Sequence, residues 1–267
     1  MKTFVVRIIL FKRKYKMNQL FDKLQKLKLT GFSKAYKEQI DQKVYESMSF
    51  DDRLSILIDR EETERENRSI QIRVSKAKFK NPSTVDKIIL SSDRGLDKTT
   101  HQTLIKYDWI RKKKNLIITA SSGCGKTFLA NTISHNACLL GFTARYYRSN
   151  QLFTDLEIAH EENKLHKILF QIAKFDILII DDFLLSAMTE SQQKYLFELI
   201  DERHESASTI FTSQNPVGLW HGLMPNPAIS DAILDRITHS ALRIELKGES
   251  MRKKKTASLD VNEEVQA

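Results

Sequence analysis

The chain has 267 residues, enough for one sizeable core with a smaller appended module. Hydrophobic residues make up 41% and charged residues 29%, with only 8 Gly and 4 Pro, which excludes a fibrous or disordered chain and points to a helix-rich globular one. A formal net charge of +9 suits a polyanion such as nucleic acid, and the two cysteines, Cys124 and Cys138, exclude a disulfide framework or a four-ligand metal site, so a reducing cytoplasm is the expected setting.

The segment 1–16 carries an apolar run broken by Arg7 and closed by a basic cluster, with no small-residue cleavage site. It does not read as a signal peptide, and no stretch of the chain approaches the ~20 apolar residues of a spanning helix, so no membrane partner is expected. A well-patterned helix begins at Met17, which is therefore read as the true start, with 1–16 a leader of no structural role. Leu20, Phe21, Leu24, Leu27, Phe32, Tyr36, Ile40 and Val44 then recur at helical spacing, and Gly31 is expected to divide them into two short helices.

Ser49 is the expected N-cap of a longer helix, with Asp51 and Asp52 in its first turn, running to about Lys78. The charged run Asp59–Arg68 places Glu61/Arg65 and Glu64/Arg68 at pairing distance along the helix and reads as a solvated face. Beyond it Arg68, Arg73, Lys76, Lys78 and Lys80 have no nearby acid and surround Ile70, Ile72, Val74 and Phe79, a pattern that can lie on the phosphates of DNA. Asn81-Pro82 stops the helix, because proline has no N–H to donate and disfavours helical geometry in the residue before it. The expected organisation is a helical N-terminal domain (17–81), a second domain (82–252) and a disordered tail (253–267).

After a helix expected over Leu96–Trp109, short apolar runs alternate with helical segments: Leu116–Thr119, Ala144–Tyr147, Ile177–Ile180, Thr209–Thr212 and Leu242–Leu246. Five buried strands separated by helices predict an α/β fold with a parallel, doubly wound sheet.

The first run leads into Ala120-Ser121-Ser122-Gly123-Cys124-Gly125-Lys126-Thr127-Phe128 and then a helix ending near Gly141. This is the strand, loop and helix context of a Walker A loop, which binds ATP. Its glycines let backbone N–H groups turn around the β-phosphate, the helix N-terminus adds its dipole, Lys126 neutralises β/γ oxygens and the Thr127 hydroxyl ligates Mg²⁺. Ser122, Gly123, Cys124, Gly125, Lys126, Thr127 and Phe128 are the expected nucleotide contacts. Ala120 stands at the usual first glycine, a cost only if that position needs positive φ.

The run Ile177–Ile180 ends in Asp181-Asp182. Asp181, expected at the edge of the strand beside the P-loop, would hold a Mg²⁺-bound water, and Asp182 would accept a proton from the attacking water. Gln214, at the polar tip of the fourth run, could orient that water, with Asn215 the neighbouring alternative. Arg236, near the end of a helix over Ser230–Ile237, could reach the γ-phosphate of an adjoining subunit, although Asp231 and Asp235 also offer it ordinary surface pairing.

These residues together resemble the IstB family, ATP-binding helpers of insertion sequences related to the DnaC helicase loader and the DnaA initiator. The resemblance runs from Met17 to about Lys255, through Phe50–Leu54, Glu66–Arg68, Arg94–Asp97, the P-loop, Ser208–Pro216, Trp220-His221, Ala232–Arg236 and Leu246–Arg252. It implies an AAA+ core, assembly on double-stranded DNA with ATP and Mg²⁺, a partner transposase, a sensor at Gln214 and an arginine finger at Arg236. It also offers Arg252 as a second sensor and a structural role for Trp220-His221. Asp182 stands where glutamate is common and Phe183 where many relatives have tryptophan. A helicase loader, a monomeric P-loop kinase and an ATP-holding DNA switch are the competing readings.

Overall fold

The computed structural model describes residues 17–248, so the expectations for 1–16, for Arg252 and for the tail 253–267 lie outside the described residues. The chain separates into two compact units, divided between Ile72 and Arg73.

The first unit holds helices α1 (17–26), α2 (Thr30–Asp41) and most of α3 (Phe50–Ala77). Ser49 caps α3 as expected, its Oγ accepting from the Asp52 N–H at 3.2 Å. Gly31 does not make the break, which falls at Lys28 with φ +58°. Gly31 lies in the first turn of α2 against α3, where a Cβ would stand 2.6 Å from the Arg60 carbonyl oxygen. Glycine is therefore required for helix approach rather than for a turn.

The charged stretch of α3 is not merely a solvated face. Glu61 is buried, accepts from the Phe32 N–H at 3.0 Å at the start of α2, and pairs with Arg65 at 2.7 Å. One carboxylate thus satisfies orphan N–H donors of α2 and anchors it to α3. Glu64 pairs with Lys34 at 2.6 Å, and Arg68 donates to Thr30 Oγ1, so the Glu64/Arg68 pair expected from spacing is not made.

Desolvation pushes the Glu61 carboxyl upward, but the hydrogen bond from Arg65 and those from the Phe32 and Gly31 N–H groups outweigh it and leave the pKa below its ordinary 4.5. A depressed folded-state pKa contributes stability above the unfolded value and loses it as pH falls through the folded one. Glu61→Gln is therefore expected to destabilise the chain at pH 7 by about 1–3 kcal/mol. The difference from wild type should close as pH drops below 4.5, measured by urea unfolding across that range.

The second unit begins inside α3, ahead of the boundary expected at Asn81-Pro82. The reason is packing: Ala77 is buried in the core of the second unit, with Val74 and Phe79 packed against it. The helix itself ends at Ala77, with Lys78 at φ +54°. The helix expected over Leu96–Trp109 is two, α4 (Lys98–Ile105) and α5 (Asp108–Arg111), broken at Tyr107 with φ +57°. Asp97 caps α4 by accepting from the Thr100 N–H at 2.7 Å.

Five strands follow: β1 (Leu116–Ala120), β2 (Ala144–Arg148), β3 (Ile177–Asp181), β4 (Ser208–Ser213) and β5 (Leu242–Leu246). All pairings are parallel, in the order β2-β3-β4-β1-β5. Between them run α6 (Lys126–Leu139), α7 (Ser149–Glu161), α8 (Leu165–Ala173), α9 (Glu190–Arg203) and α10 (Pro227–Thr238). Alternate residues of each central strand enter different cores. Leu116, Ile118, Ile177, Ile179 and Ile210 pack with α4 to α6, while Ile117, Leu178, Ile180 and Phe211 pack with α7 to α10. Burial on both faces is why the strands read as continuous apolar runs. The result is an α/β fold with a five-stranded parallel sheet whose first strand leads into the P-loop, preceded by helices.

Candidate nucleotide site

The C-terminal ends of β1, β3 and β4 border a cleft of about 670 Å³ that is lined by Ser122, Gly123, Gly125, Lys126, Thr127, Phe128, Asp181, Asp182 and Gln214. Gly123 and Gly125 have φ of +84° and +94°, which turns successive N–H groups the same way. Cys124 is the exception among the expected contacts. Its side chain is buried and donates to the Gly248 carbonyl at 3.2 Å, so only its backbone belongs to the loop. Ala120 is the last residue of β1 and is not at positive φ, so alanine costs the loop nothing there. Lys126 is buried at the head of α6, its ammonium donating to the Ala120 and Ser121 carbonyls at 2.7 and 3.0 Å.

Asp181 is 1% exposed. It accepts from Thr127 Oγ1 at 2.9 and 3.0 Å, from Tyr146 Oη at 2.8 Å and from Thr212 Oγ1. A buried carboxylate ringed by hydroxyls is a hard oxygen donor set that fits Mg²⁺. Burial and the adjacent Asp181 push the Tyr146 phenol upward, so it stays a donor. Asp181 does not sit on the strand next to β1, contrary to the sequence expectation, because β4 lies between β3 and β1. The carboxylate reaches across to Thr127 from one strand further away.

Asp182 follows β3 at φ +56°, a conformation that aspartate tolerates better than most residues. Its N–H donates to Thr212 Oγ1 at 3.2 Å, and the residue lines the cleft. Gln214 lines it as well, whereas Asn215 is occupied elsewhere, donating from Nδ2 to the Leu184 carbonyl at 2.7 Å and accepting from Trp220 Nε1 at 3.0 Å. Trp220 is fully buried beside Phe183, ring centroids 5.0 Å apart, which makes it a core residue.

Arg236 is at the other end of the sheet. Asn115, which directly precedes β1, donates to the carbonyls of Arg236 and Ile237 at 3.2 and 3.1 Å. The five residues of β1, about 17 Å of strand, separate it from the P-loop. Its partner is neither Asp231 nor Asp235 but Asp201 of α9, at 2.9 Å.

The basic residues assigned to DNA part company. Lys76 and Lys78 are exposed. Arg73 is half-buried, donating from Nε to the Cys138 carbonyl at 3.0 Å near the C-terminus of α6. Lys80 lines the nucleotide cleft, and its carbonyl accepts from Asn131 at 3.0 Å. Arg68 holds Thr30 in the first unit.

Three further residues belong to the site with no role expected for them from the sequence. Tyr146 and Arg148 come from β2, where Arg148 stands in register with Asp181, and Arg94 donates to the Cys124 carbonyl at 3.0 Å from the loop before α4. Strand order and register bring in Tyr146 and Arg148, and neither is written in local periodicity.

The geometry agrees with what the chain is similar to. The family described as IstB-like ATP binding protein matches residues 22–258. An insertion sequence ATP-binding protein of Sinorhizobium fredii is 37% identical over 232 residues, 87% of this chain and 95% of that protein. Among solved structures, DnaI is 19% identical with a TM-score of 0.54, covering 62% of this chain and 91% of that one. The replication initiator DnaA bound to AMPPCP and single-stranded DNA is 15% identical with a TM-score of 0.52, covering 66% and 55%. At these identities the two structures establish the fold alone. The loop, the cleft and the family match together make this chain a member of the IstB-like ATP-binding proteins.

Proposed function

We propose that the chain is an ATP-dependent, DNA-binding helper of transposition. It oligomerises on double-stranded DNA without base specificity, recruits or activates a partner transposase, and hydrolyses ATP at a site shared between subunits. The observation that carries this reading is the placement of Arg236, which is too far along the sheet to serve its own cleft. The kinship with insertion-sequence proteins supports the transposase as partner.

In this mechanism the P-loop N–H groups and Lys126 hold the phosphates, and Thr127 with Asp181 would hold Mg²⁺. Bound there, Mg²⁺ supplies charge neutralisation on the phosphate oxygens. Asp182 takes the proton of the attacking water, and Gln214 orients that water. Arg236 of one subunit exchanges Asp201 for the γ-phosphate of the next. The central test is whether ATP raises both particle size and DNA affinity, read by light scattering and by anisotropy of labelled duplex; if it changes neither, the reading fails.

Lys76 and Lys78 are the exposed cations of the α3 terminus, so they are the phosphate contacts there, with Arg111–Lys114 as a second basic segment. The double substitution Lys76→Ala/Lys78→Ala is expected to weaken DNA binding on every sequence. It should also reduce the slope of log K against log salt by about 2. Arg73→Ala should instead lower the melting temperature and leave that slope unchanged, because its guanidinium serves α6. Equal slopes for wild type and the double variant would remove α3 from the DNA surface.

A further inference from the structure

The Asp181 carboxylate is held by donors from three different elements. Thr127, at the head of α6, spans both oxygens at 2.9 and 3.0 Å, so it does not by itself select an orientation of the carboxylate plane. Thr212 of β4 donates to Oδ1. Tyr146 of β2 donates to Oδ2 at 2.8 Å, and Arg148, two residues on along the same strand, brings its positive charge to the Tyr146 phenol. The terminal torsion of an aspartate is broad and soft. Two donors fixed on opposite oxygens, from strands on either side of β3, take that freedom away. Tyr146 is set in the sheet by register, standing across from Ile179 two positions before Asp181.

We propose that Tyr146 is a positioning residue for the divalent cation: its hydroxyl locks the Asp181 carboxylate in the plane that receives Mg²⁺ and so sets the cation affinity of the site. The proposal rests on Thr127 and Asp181 being the cation's holders. Partners that orient a metal-binding carboxylate typically contribute 10- to 100-fold to metal affinity. Arg148 acts one step further out, by keeping the phenol turned toward β3.

The test uses the full chain and a fluorescent ATP analogue, with binding followed as Mg²⁺ is titrated. In Tyr146→Phe the Mg²⁺ concentration at half-effect should rise about tenfold, while affinity for the analogue in EDTA stays within about twofold. Arg148→Met should move the midpoint in the same direction by less. Tyr147→Phe is the control, because the Tyr147 hydroxyl accepts from Arg145 and does not touch Asp181. An unchanged midpoint in Tyr146→Phe overturns the proposal. So does an equal loss with and without Mg²⁺, or the same shift in Tyr147→Phe, since either would mark a merely structural role. If wild-type binding ignores Mg²⁺ altogether, the cation reading of Thr127 and Asp181 falls first and takes the proposal with it.

Discussion

An equimolar mixture of Lys126→Ala and Arg236→Ala chains is expected to hydrolyse ATP at up to about a quarter of the wild-type rate, although each variant alone is inactive. The Lys126 variant lacks the ammonium that neutralises the phosphates but keeps its arginine. The Arg236 variant binds ATP but offers no arginine to its neighbour. In a head-to-tail assembly with random mixing, about one interface in four joins an intact cleft to an intact Arg236. The loss in Arg236→Ala alone should be about 10³-fold or more, the scale of a trans-acting arginine on a transferring phosphoryl group. Structural damage does not account for a loss of that size. The Arg236–Asp201 pair is partly exposed, at 27% and 55%, and such pairs contribute about 1 kcal/mol or less. Phosphate release from the mixture, with co-assembly checked by light scattering, decides the matter. Full activity of Arg236→Ala alone would instead fit a monomeric kinase-like site, and failure of a co-assembled mixture to recover would sink the shared site.

The parts of this molecule legible in the sequence are those that local chemistry dictates. The P-loop needs particular glycines, a lysine and a threonine in consecutive positions, so it announces itself. The five strands are buried on both faces and read as apolar runs, and each was placed to within one or two residues of its observed ends. What stayed hidden depends on which elements meet. Tyr146 and Arg148 join the site because β2 pairs with β3 in a register that puts Arg148 opposite Asp181. Glu61 looked like one more charge on a solvated helix, yet it is the carboxylate that seats α2 on α3. Arg73 and Lys80 shared a basic run with Lys76 and Lys78, but helix α3 rotates the first toward α6, and the chain beyond the helix carries Lys80 to the cleft. Charge spacing along one helix gives a face, and only tertiary packing says what lies against it.

Asp182→Asn is expected to leave nucleotide affinity within about twofold of wild type while lowering turnover by about 10²- to 10⁴-fold, the contribution of a positioned general base. The substitution is a clean one for a physical reason. Residue 182 sits at φ +56°, where asparagine is as well tolerated as aspartate, so the backbone is not strained. The N–H that donates to Thr212 Oγ1 is retained, so Thr212 and through it Asp181 keep their arrangement. The side chain keeps its size and shape while losing the carboxylate's charge and with it the ability to take a proton from water. Binding is read with a fluorescent ATP analogue and turnover by phosphate release, both with and without duplex DNA. Asp182→Glu keeps a carboxylate base, extended by one methylene, and should retain more of the rate than Asp182→Asn, less what glutamate loses by being poorly suited to φ +56°. Full turnover in Asp182→Asn would remove Asp182 from the chemistry. If the wild-type chain releases no phosphate even on DNA, the same cleft acts as a switch that reads bound ATP without consuming it.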